Sequence, residues 1–582
     1  MAVLGVDVGG TFTDAVLLDN GAIRTAKVPT ASSQEESVVA AAGAVGAAGL
    51  ERFTHGTTAA TNALLERTGA RTAFVATAGF EHLLHLRRQD RAHLYRLCES
   101  HPEPLVPLER CYGVRERIGP DGVLEPLELE SLPRIDERVE AVALCTLFSF
   151  RDPSHERAVA EELRRRLPRA RVVASHEIAP EFREYERAST VAVDAYLGPA
   201  VSGYLEALRD ACREADLPEP LVMRSSGGVA TLAEAATHPA VALVSGPAAG
   251  VVGAATIARL AGVENTISLD MGGTSTDVSL VVDGRLGRAT AREVAGLPLQ
   301  LPAVDLQTVG AGGGSIVWRD SGGALRVGPE SAGATPGPAC YGKGGTRPTV
   351  TDANLLLGRL PRRLAGGIEL DTTASERAFG GIDPAEAIEV VNAEMLRALR
   401  LVSVERGHDP RDFALVAFGG AGALHGCALA EELGIRTVLV PGAAGVLSAL
   451  GLVASDERRD RVRSFVCPLA EAGELPAEGE ADLRYEGQSF ELTVPLQAEL
   501  GAAFHRAHET RYGYAEPERA IELVAVRTAE VRPGPRFELP AAEPLDVTGP
   551  AVVELEGATC WLPQGWEGVR DGTSSTLRLT RV

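Results

Sequence analysis

The chain has 582 residues, 45% of them apolar, enough for two to four domains of about 150 residues with real cores rather than disorder. Its net charge of −22 repels nucleic acid and anionic lipid, so neither is an expected partner. No run of about 18 apolar residues marks a membrane span, and no basic, apolar leader precedes Asp7; the eight cysteines are scattered without a Cys-x-x-Cys pair. Together these predict a cytoplasmic protein without a disulfide framework, a cysteine metal site or a signal peptide. Only Lys27 and Lys343 are lysines, which an arginine coding bias explains.

The first half alternates strand and helix patterns. The runs AVLGVDV, TAFVAT, VALCTLFSF and RVVASHEI are apolar and β-branched, as buried strands are. Between them QEESVVAAAGAVGAAG, TTAATNALLERTG and PSHERAVAEELRRRL read as helices, so the layering is α/β. A long helix is predicted from about Tyr185 to Ala215, interrupted near Gly198-Pro199. The pattern restarts at PLVMRSSGG and continues through NTISLDMGG, DVSLVVDG, FALVAFGGAG and TVLVPG. From Leu483 the texture becomes strand-rich, with LRYEGQSFELTVPL, AIELVAVRTAEV, AVVELEG and TLRLTRV. A separate β-rich C-terminal domain is predicted, with AEAGELPAEGEAD as the linker.

Two stretches repeat one another. Val6–Gly21 (VDVGGTFTDAVLLDNG) and Leu269–Gly284 (LDMGGTSTDVSLVVDG) share Asp-x-Gly-Gly-Thr-x-Thr-Asp at a constant offset of 263 residues. In each, a strand ends at an aspartate, two glycines allow a tight turn with backbone N–H groups close to a ligand, and a second strand follows. Such a hairpin can hold phosphate, and an aspartate at the strand end suits Mg²⁺, which takes few carboxylates beside substrate phosphates. One copy alone is equally well a plain Gly-Gly hairpin. Two facing copies could grip a triphosphate from both sides. A third glycine turn, VAFGGAGALHG, passes from strand to helix, where free N–H groups can meet a nucleotide.

Strand–turn–strand twice and then strand–turn–helix resembles the actin-like ATPase superfamily. Longer blocks narrow the resemblance: HGTTAATNALLERTGARTAFVATAGF, PEFREYERASTVAVDAYLGP, SSGGVATLAEAATHPAVALVSGPAAGVVGA, VDLQTVGAGGGSIVW and VGPESAGATPGPACYGKGGTRPTVTDANLLLGRL are similar to the hydantoinase A / 5-oxoprolinase family. The likeness runs over nearly the whole chain. It implies duplicated actin-like (ribonuclease H-like) α/β domains, at 1–190 and 191–465, plus a β-rich domain at 466–582. It also implies ATP and Mg²⁺ as cofactors and ring opening of a cyclic amide, such as a hydantoin or 5-oxoproline, after phosphoryl transfer to the substrate oxygen. A second, hydantoinase B-like subunit and an oligomeric enzyme are implied as well. The alternatives are the ATP-using subunit of an acetone/acetophenone-type carboxylase, whose substrate is a ketone, and a non-catalytic subunit that uses ATP to change conformation.

The same resemblance assigns Asp7, Gly9, Gly10, Thr11, Thr13 and Asp14 to the first phosphate motif. Asp270, Gly272, Gly273, Thr274, Thr276 and Asp277 fall to the second, and Gly419, Gly420, Ala421 and Gly422 to the adenosine turn. Asp7 and Asp270 are the expected catalytic and metal-binding carboxylates. Other residues stay open. Thr57 or Thr58 either caps a helix or meets ligand. RRQDR (Arg87–Arg91) serves an anionic substrate or is a solvated face. His82 and His85 read as surface residues. The glycines of Gly310–Ser315 point to a close backbone approach to ligand. Some family members carry histidine where Gln307 stands, so the chain departs there. The roles of His55, Lys343 and His425 are left open, with a structural role favoured for His425, and Cys340 has no activating partner in sequence.

Overall fold

The computed structural model describes residues 2–96, 98–364, 368–570 and 574–582. Each repeat of the motif folds as the same unit. Ala2–Val8 and Phe12–Asp19 form an antiparallel hairpin that sets Asp7 opposite Asp14, and Arg52–Gly56 runs parallel beside it with Gly56 opposite Asp7. In the second half Thr266–Met271 and Thr276–Val282 set Asp270 opposite Asp277, and Ala414–Phe418 runs parallel beside them with Phe418 opposite Asp270. This is the duplicated actin-like α/β arrangement expected from the two motifs.

Two helices lock the halves together. Ser245–Leu260 and Leu447–Ala454 cross so closely that a side chain on Gly451 would lie 1.9 Å from the Ala249 carbonyl oxygen. One on Gly253 would lie 2.6 Å from that of Leu447. Leu447–Ala454 also presses on the first strand, where a side chain on Gly5 would meet the Ala449 oxygen at 2.3 Å. Glycine at these crossings is therefore a packing requirement.

The long helix spans Glu184–Glu214 and runs through Pro199 without the predicted break. Residues Ala188–Gly198 are buried, and that packing outweighs the roughly 3 kcal/mol cost of an internal proline.

Most strands after residue 457 are hydrogen-bonded into the two main sheets, and among the described residues only Ala551–Leu555 and Ala558–Leu562 pair as a small sheet apart. Glu457–Pro468, Glu480–Tyr485, Leu492–Pro495 and Ile521–Arg532 extend the first sheet. Leu545–Thr548, Trp566–Arg570 and Leu577–Arg581 extend the second. The buried side chains of Trp566, Leu577 and Leu579 share one core with Leu415 and Phe418, so apolar burial ties the C-terminal strands to the ATPase-like half. The stretch read as a linker, residues 470–482, joins two strands of one sheet, and its last three residues already belong to Glu480–Tyr485.

Residues 72–174 build a further layer that the sequence pattern does not set apart. Cys111–Gly119, Thr72–Thr77, Ala141–Cys145 and Arg171–Ala174 form a parallel sheet edged by antiparallel Gly122–Glu128.

Candidate functional site

The two hairpin turns close alike. Gly9 N–H donates to Phe12 O, and Gly272 N–H to Ser275 O, each at 3.0 Å. Gly10, Thr11, Gly273 and Thr274 lie exposed at the turn tips, free to meet a ligand. Thr13 and Thr276 do not share that freedom. Both are fully buried. The Thr13 hydroxyl is 3.0 Å from that of Thr30, and the Thr276 hydroxyl donates to Ala311 O at 2.5 Å, so these threonines brace the turns from within.

Asp7 and Asp270 face one helix. A side chain on Gly246 would lie 3.5 Å from Asp7 Oδ1, and one on Gly250 would lie 3.1 Å from Asp270 Oδ2. Gly246 and Gly250 are four residues apart on helix Ser245–Leu260, about one turn or 6 Å of rise. The aspartates therefore approach a common face from the two halves. Two more glycines complete the cradle: a side chain on Gly56 would lie 2.4 Å from Asp7 Oδ1, and one on Gly419 would lie 2.4 Å from Asp270 Oδ1. Gly419 has φ +78°, so its conformation also favours glycine. It opens helix Gly419–Leu433, with Gly420 exposed and Ala421 and Gly422 buried beneath, so the third glycine turn joins the second hairpin at Asp270.

The electrostatics are those of a cluster of buried carboxylates. Burial pushes the Asp7 carboxyl up to about 7, the charge of Asp14 adds to this and Lys27 opposes it. Burial pushes Asp270 up to about 8, with Asp277, Asp7 and Asp14 adding and Lys27 opposing. Asp14 and Asp277 are raised too, both mainly by burial. Asp7 Oδ1 is buried without a hydrogen-bond partner. Among the described residues no three His, Cys, Asp or Glu side chains converge as a metal cage. Such a donor set fits Mg²⁺ held by one or two carboxylates plus phosphate oxygens.

Sequence reasoning left several neighbours unassigned. Lys27 Nζ sits 2.7 Å from Asp14 Oδ1 and 2.9 Å from Gly445 O. The hydroxyl of Thr308 donates to Asp277 Oδ1 at 2.5 Å. The i, i+4 glycines of SGPAAG were a readable sign of close approach along one helix face. The run Gly310–Ser315 does approach closely, but to the second hairpin: Gly313 N–H donates to Gly272 O at 2.9 Å and Gly314 N–H to Gly273 O at 2.7 Å.

The remaining candidates are placed as follows. His55 is buried, with Nδ1 3.1 Å from Val6 O and Nε2 2.7 Å from the Tyr204 hydroxyl, and burial lowers its pKa to about 4. His425 is buried against Asn392 Oδ1 at 2.7 Å and Asn354 Nδ2 at 3.4 Å, and burial lowers it to about 3. Both are neutral structural histidines at ordinary pH. Thr57 Oγ1 accepts from Ala59 N–H at 3.0 Å, at the start of helix Ala59–Leu65, whose N-cap Thr58 makes no side-chain capping bond. Arg87 donates to the carbonyls of Pro102 and Gly296, and Arg88 forks onto Glu186. His82 is exposed, while His85 Nε2 lies 3.0 Å from Val106 O. Gln307 is half-buried on the strand beside Val278, and its Nε2 donates to Thr308 O at 3.3 Å. Lys343 is exposed in a turn, and burial pushes the Cys340 thiol up, away from nucleophilic use.

A family model described as Hydantoinase/oxoprolinase matches residues 187–461, and one described as Hydantoinase/oxoprolinase N-terminal region matches residues 3–167. The chain is 34% identical to caprolactamase subunit alpha of Pseudomonas jessenii, over 94% of this chain and 89% of that protein. It is 34% identical to the acetophenone carboxylase gamma subunit of Aromatoleum aromaticum, over 77% of this chain and 67% of that protein. Among solved structures, the ATP-dependent caprolactamase from Pseudomonas jessenii superposes with a TM-score of 0.88 at 31% identity, covering 100% of both chains.

Proposed function

The chain belongs to the hydantoinase/oxoprolinase family, and from that premise we propose that it is the ATP-using, A-type subunit of an enzyme that opens a cyclic amide. The observation that carries this reading is the pair Asp7 and Asp270, brought from two homologous hairpins onto one glycine-lined helix face, with both carboxyls raised by burial and Asp7 Oδ1 buried without a hydrogen bond. Exposed turn N–H groups at Gly10, Thr11, Gly273 and Thr274 are disposed to hold phosphate oxygens, and Gly420 at the helix start to meet the nucleoside. Asp7 and Asp270 would hold Mg²⁺, whose charge offsets that of the phosphates. Lys27 opposes the burial that raises Asp14 and holds its carboxylate in place at 2.7 Å.

A ring amide resists hydrolysis because its nitrogen leaves poorly and its carbonyl is weakly electrophilic. Transfer of the γ-phosphoryl of ATP to the amide oxygen releases ADP and makes that carbon open to water. One water adds there and the ring C–N bond breaks, freeing the amine and leaving an acyl phosphate, which a second water hydrolyses to carboxylate and inorganic phosphate. The chain's contribution to phosphoryl transfer is positioning and charge balance, which is most of what that reaction needs. The caprolactamase and acetophenone carboxylase relatives are both named as subunits, which supports a partner subunit, of hydantoinase B type, here as well.

The acetophenone carboxylase relative supports a second reading, in which the phosphorylated oxygen belongs to a ketone enolate. The two separate in one assay. With the full chain and its partner subunit, ADP formation is measured with a panel of lactams and hydantoins and, in parallel, with ketones plus bicarbonate. Amide-dependent ADP formation is expected. Ketone- and bicarbonate-dependent turnover would replace the hydrolase by the carboxylase, and ATP turnover indifferent to both would leave a conformational ATPase.

A further inference from the structure

Between the second hairpin and its returning strand, residues 288–304 leave the second sheet as a strap. Arg288–Ala289 pairs with Ala303–Val304 at its base, and Arg292–Val294 pairs with Leu297–Leu299 toward its tip. The apolar residues Val294, Leu297, Leu299 and Leu301 pack into the core of the first half. The tip is held by Arg87, which donates to Gly296 O at 3.4 Å, and by Thr190 Oγ1, which accepts from Gln300 N–H at 2.8 Å. The strap thus joins the two halves and returns into Leu306–Val309, whose Thr308 pairs with Asp277.

Arg292 lies on this strap, on the same strand face as the buried Val294. Its Nε and Nη1 are both buried without a hydrogen-bond partner. Other buried arginines with an orphan Nε spend their remaining nitrogens: Arg52 on Ser455 O at 2.8 Å, Arg171 on Ala236 O at 2.9 Å, Arg187 on Thr146 O. Among the described residues Arg292 alone has two such orphan nitrogens. The acidic charges acting on it are Asp277 and Asp305, and burial lowers its pKa against both. Neither acid pairs with it: Asp277 accepts from Thr308, and Asp305 is forked by Arg406. Arg292 as a whole is half-buried, but two guanidinium nitrogens withheld from water and left without an acceptor are costly, and a fold keeps such a pair where a ligand completes it.

We infer that Arg292 is the receptor for an oxyanion brought to the nucleotide site. The fork of a guanidinium suits two sources of that chemistry, the terminal phosphoryl of the nucleotide or a carboxylate borne by the cyclic amide. The assignment rests on the nucleotide reading of the site, and the test keeps the two apart.

Full-length Arg292→Met and Arg292→Lys are compared with the unaltered chain. Melting temperature is read without ligand and with inorganic phosphate, and calorimetry gives affinities for AMP-PNP and ADP. With the partner subunit present, KM is measured for 5-oxoproline and for 2-pyrrolidinone, which lacks the carboxylate. Arg292→Met is expected to melt at or above the unaltered chain without ligand and to lose stabilisation by phosphate. If the nucleotide is the source, Arg292→Met weakens AMP-PNP roughly tenfold to a hundredfold and spares ADP, and Arg292→Lys recovers part of the loss. If the amide is the source, KM rises by that factor for 5-oxoproline alone. Unfolding of Arg292→Met, or phosphate, nucleotide and amide responses all within about twofold of the unaltered chain, would overturn the inference. An unaltered chain that responds to phosphate through Arg292 yet binds no adenine nucleotide would instead overturn the nucleotide reading.

Discussion

Asp7 and Asp270 at the hairpins, and Glu116 and Glu156 in the five-stranded layer, are carboxylates largely withheld from water in one chain, yet their surroundings differ. Glu156 accepts from Thr146 N–H at 2.9 Å, Ser175 Oγ at 2.7 Å and His176 N–H at 2.9 Å, with His176 Nδ1 at 2.6 Å. Glu116 accepts from Thr77 Oγ1 and lies 2.9 Å from His155 Nδ1. Burial would raise the Glu156 carboxyl, but the His176, Ser175 and Thr146 hydrogen bonds and the Arg187 charge outweigh it and hold it low. Among the described residues Asp7 and Asp270 have no such shell, and burial pushes them up to about 7 and about 8, with Asp14 adding at Asp7 and Asp277, Asp7 and Asp14 adding at Asp270. Satisfied carboxylates hold a fold together, whereas unsatisfied ones mark where something else must bind.

The largest effect that separates the two sets is on stability. Glu156→Ala strands His176 and the N–H groups of Thr146 and His176 and is expected to cost about 3–5 kcal/mol in denaturant unfolding. Its nucleotide affinity per folded molecule is expected to stay unchanged. Asp270→Asn should do the reverse. Turnover is expected to fall roughly 10²- to 10³-fold, as for loss of one preorganised electrostatic group. The ligand-free protein should melt no lower than the unaltered chain. A large loss of stability in Asp270→Asn with turnover spared would erase the contrast.

The cradle gives a sharper variant. Gly250→Ala places a methyl group 3.1 Å from Asp270 Oδ2 and 3.2 Å from the Phe418 ring, and overpacking there is expected to cost about 1–3 kcal/mol. Gly203→Ala, in helix Glu184–Glu214 with nothing within 4 Å, should gain roughly 0.5–1 kcal/mol. Thermal melts of the two variants check the sign.

The pH dependence follows from the raised aspartates. Below their ordinary value of 3.8 both folded and unfolded chains hold these protons. As pH climbs, the unfolded chain releases them first and the folded chain only near 7 to 8, so stability is present at low pH and lost across that window. Ligand-free melting temperatures corrected with Asp270→Asn should show this slope flattened. The smallest effect is expected for Lys27→Met, which frees Asp14 from its 2.7 Å partner and should weaken nucleotide binding only a few-fold, in keeping with a partly exposed ion pair.

The hairpins were legible because Asp-x-Gly-Gly-Thr is a local signal, with turn, strand end and carboxylate within eight residues, and the third turn because a glycine run follows an apolar strand run. The partners of the C-terminal strands were not, since an alternating pattern gives a strand's face but not its sheet. Glu457–Pro468 escaped notice because its run of arginines and acids carries no apolar alternation, and its pairing with Ile521–Arg532 is a long-range fact. Thr13 and Thr276 show the limit within the motif itself, for the sequence supplies a hydroxyl without saying that the turn consumes it. Arg292 was invisible for the opposite reason. Only the fold reveals that, among the described residues, its Nε and Nη1 are buried without a hydrogen bond.

The central claim is that the two hairpins form one nucleotide site whose raised carboxylates ionise when Mg²⁺ and nucleotide bind. The most direct measurement is calorimetric titration of the full chain with AMP-PNP near pH 7, with and without Mg²⁺, in buffers of different ionisation enthalpy. Mg²⁺-dependent binding accompanied by proton release is expected, with that release reduced in Asp270→Asn. Binding that ignores Mg²⁺ and releases no proton, or no binding at all, would contradict the account.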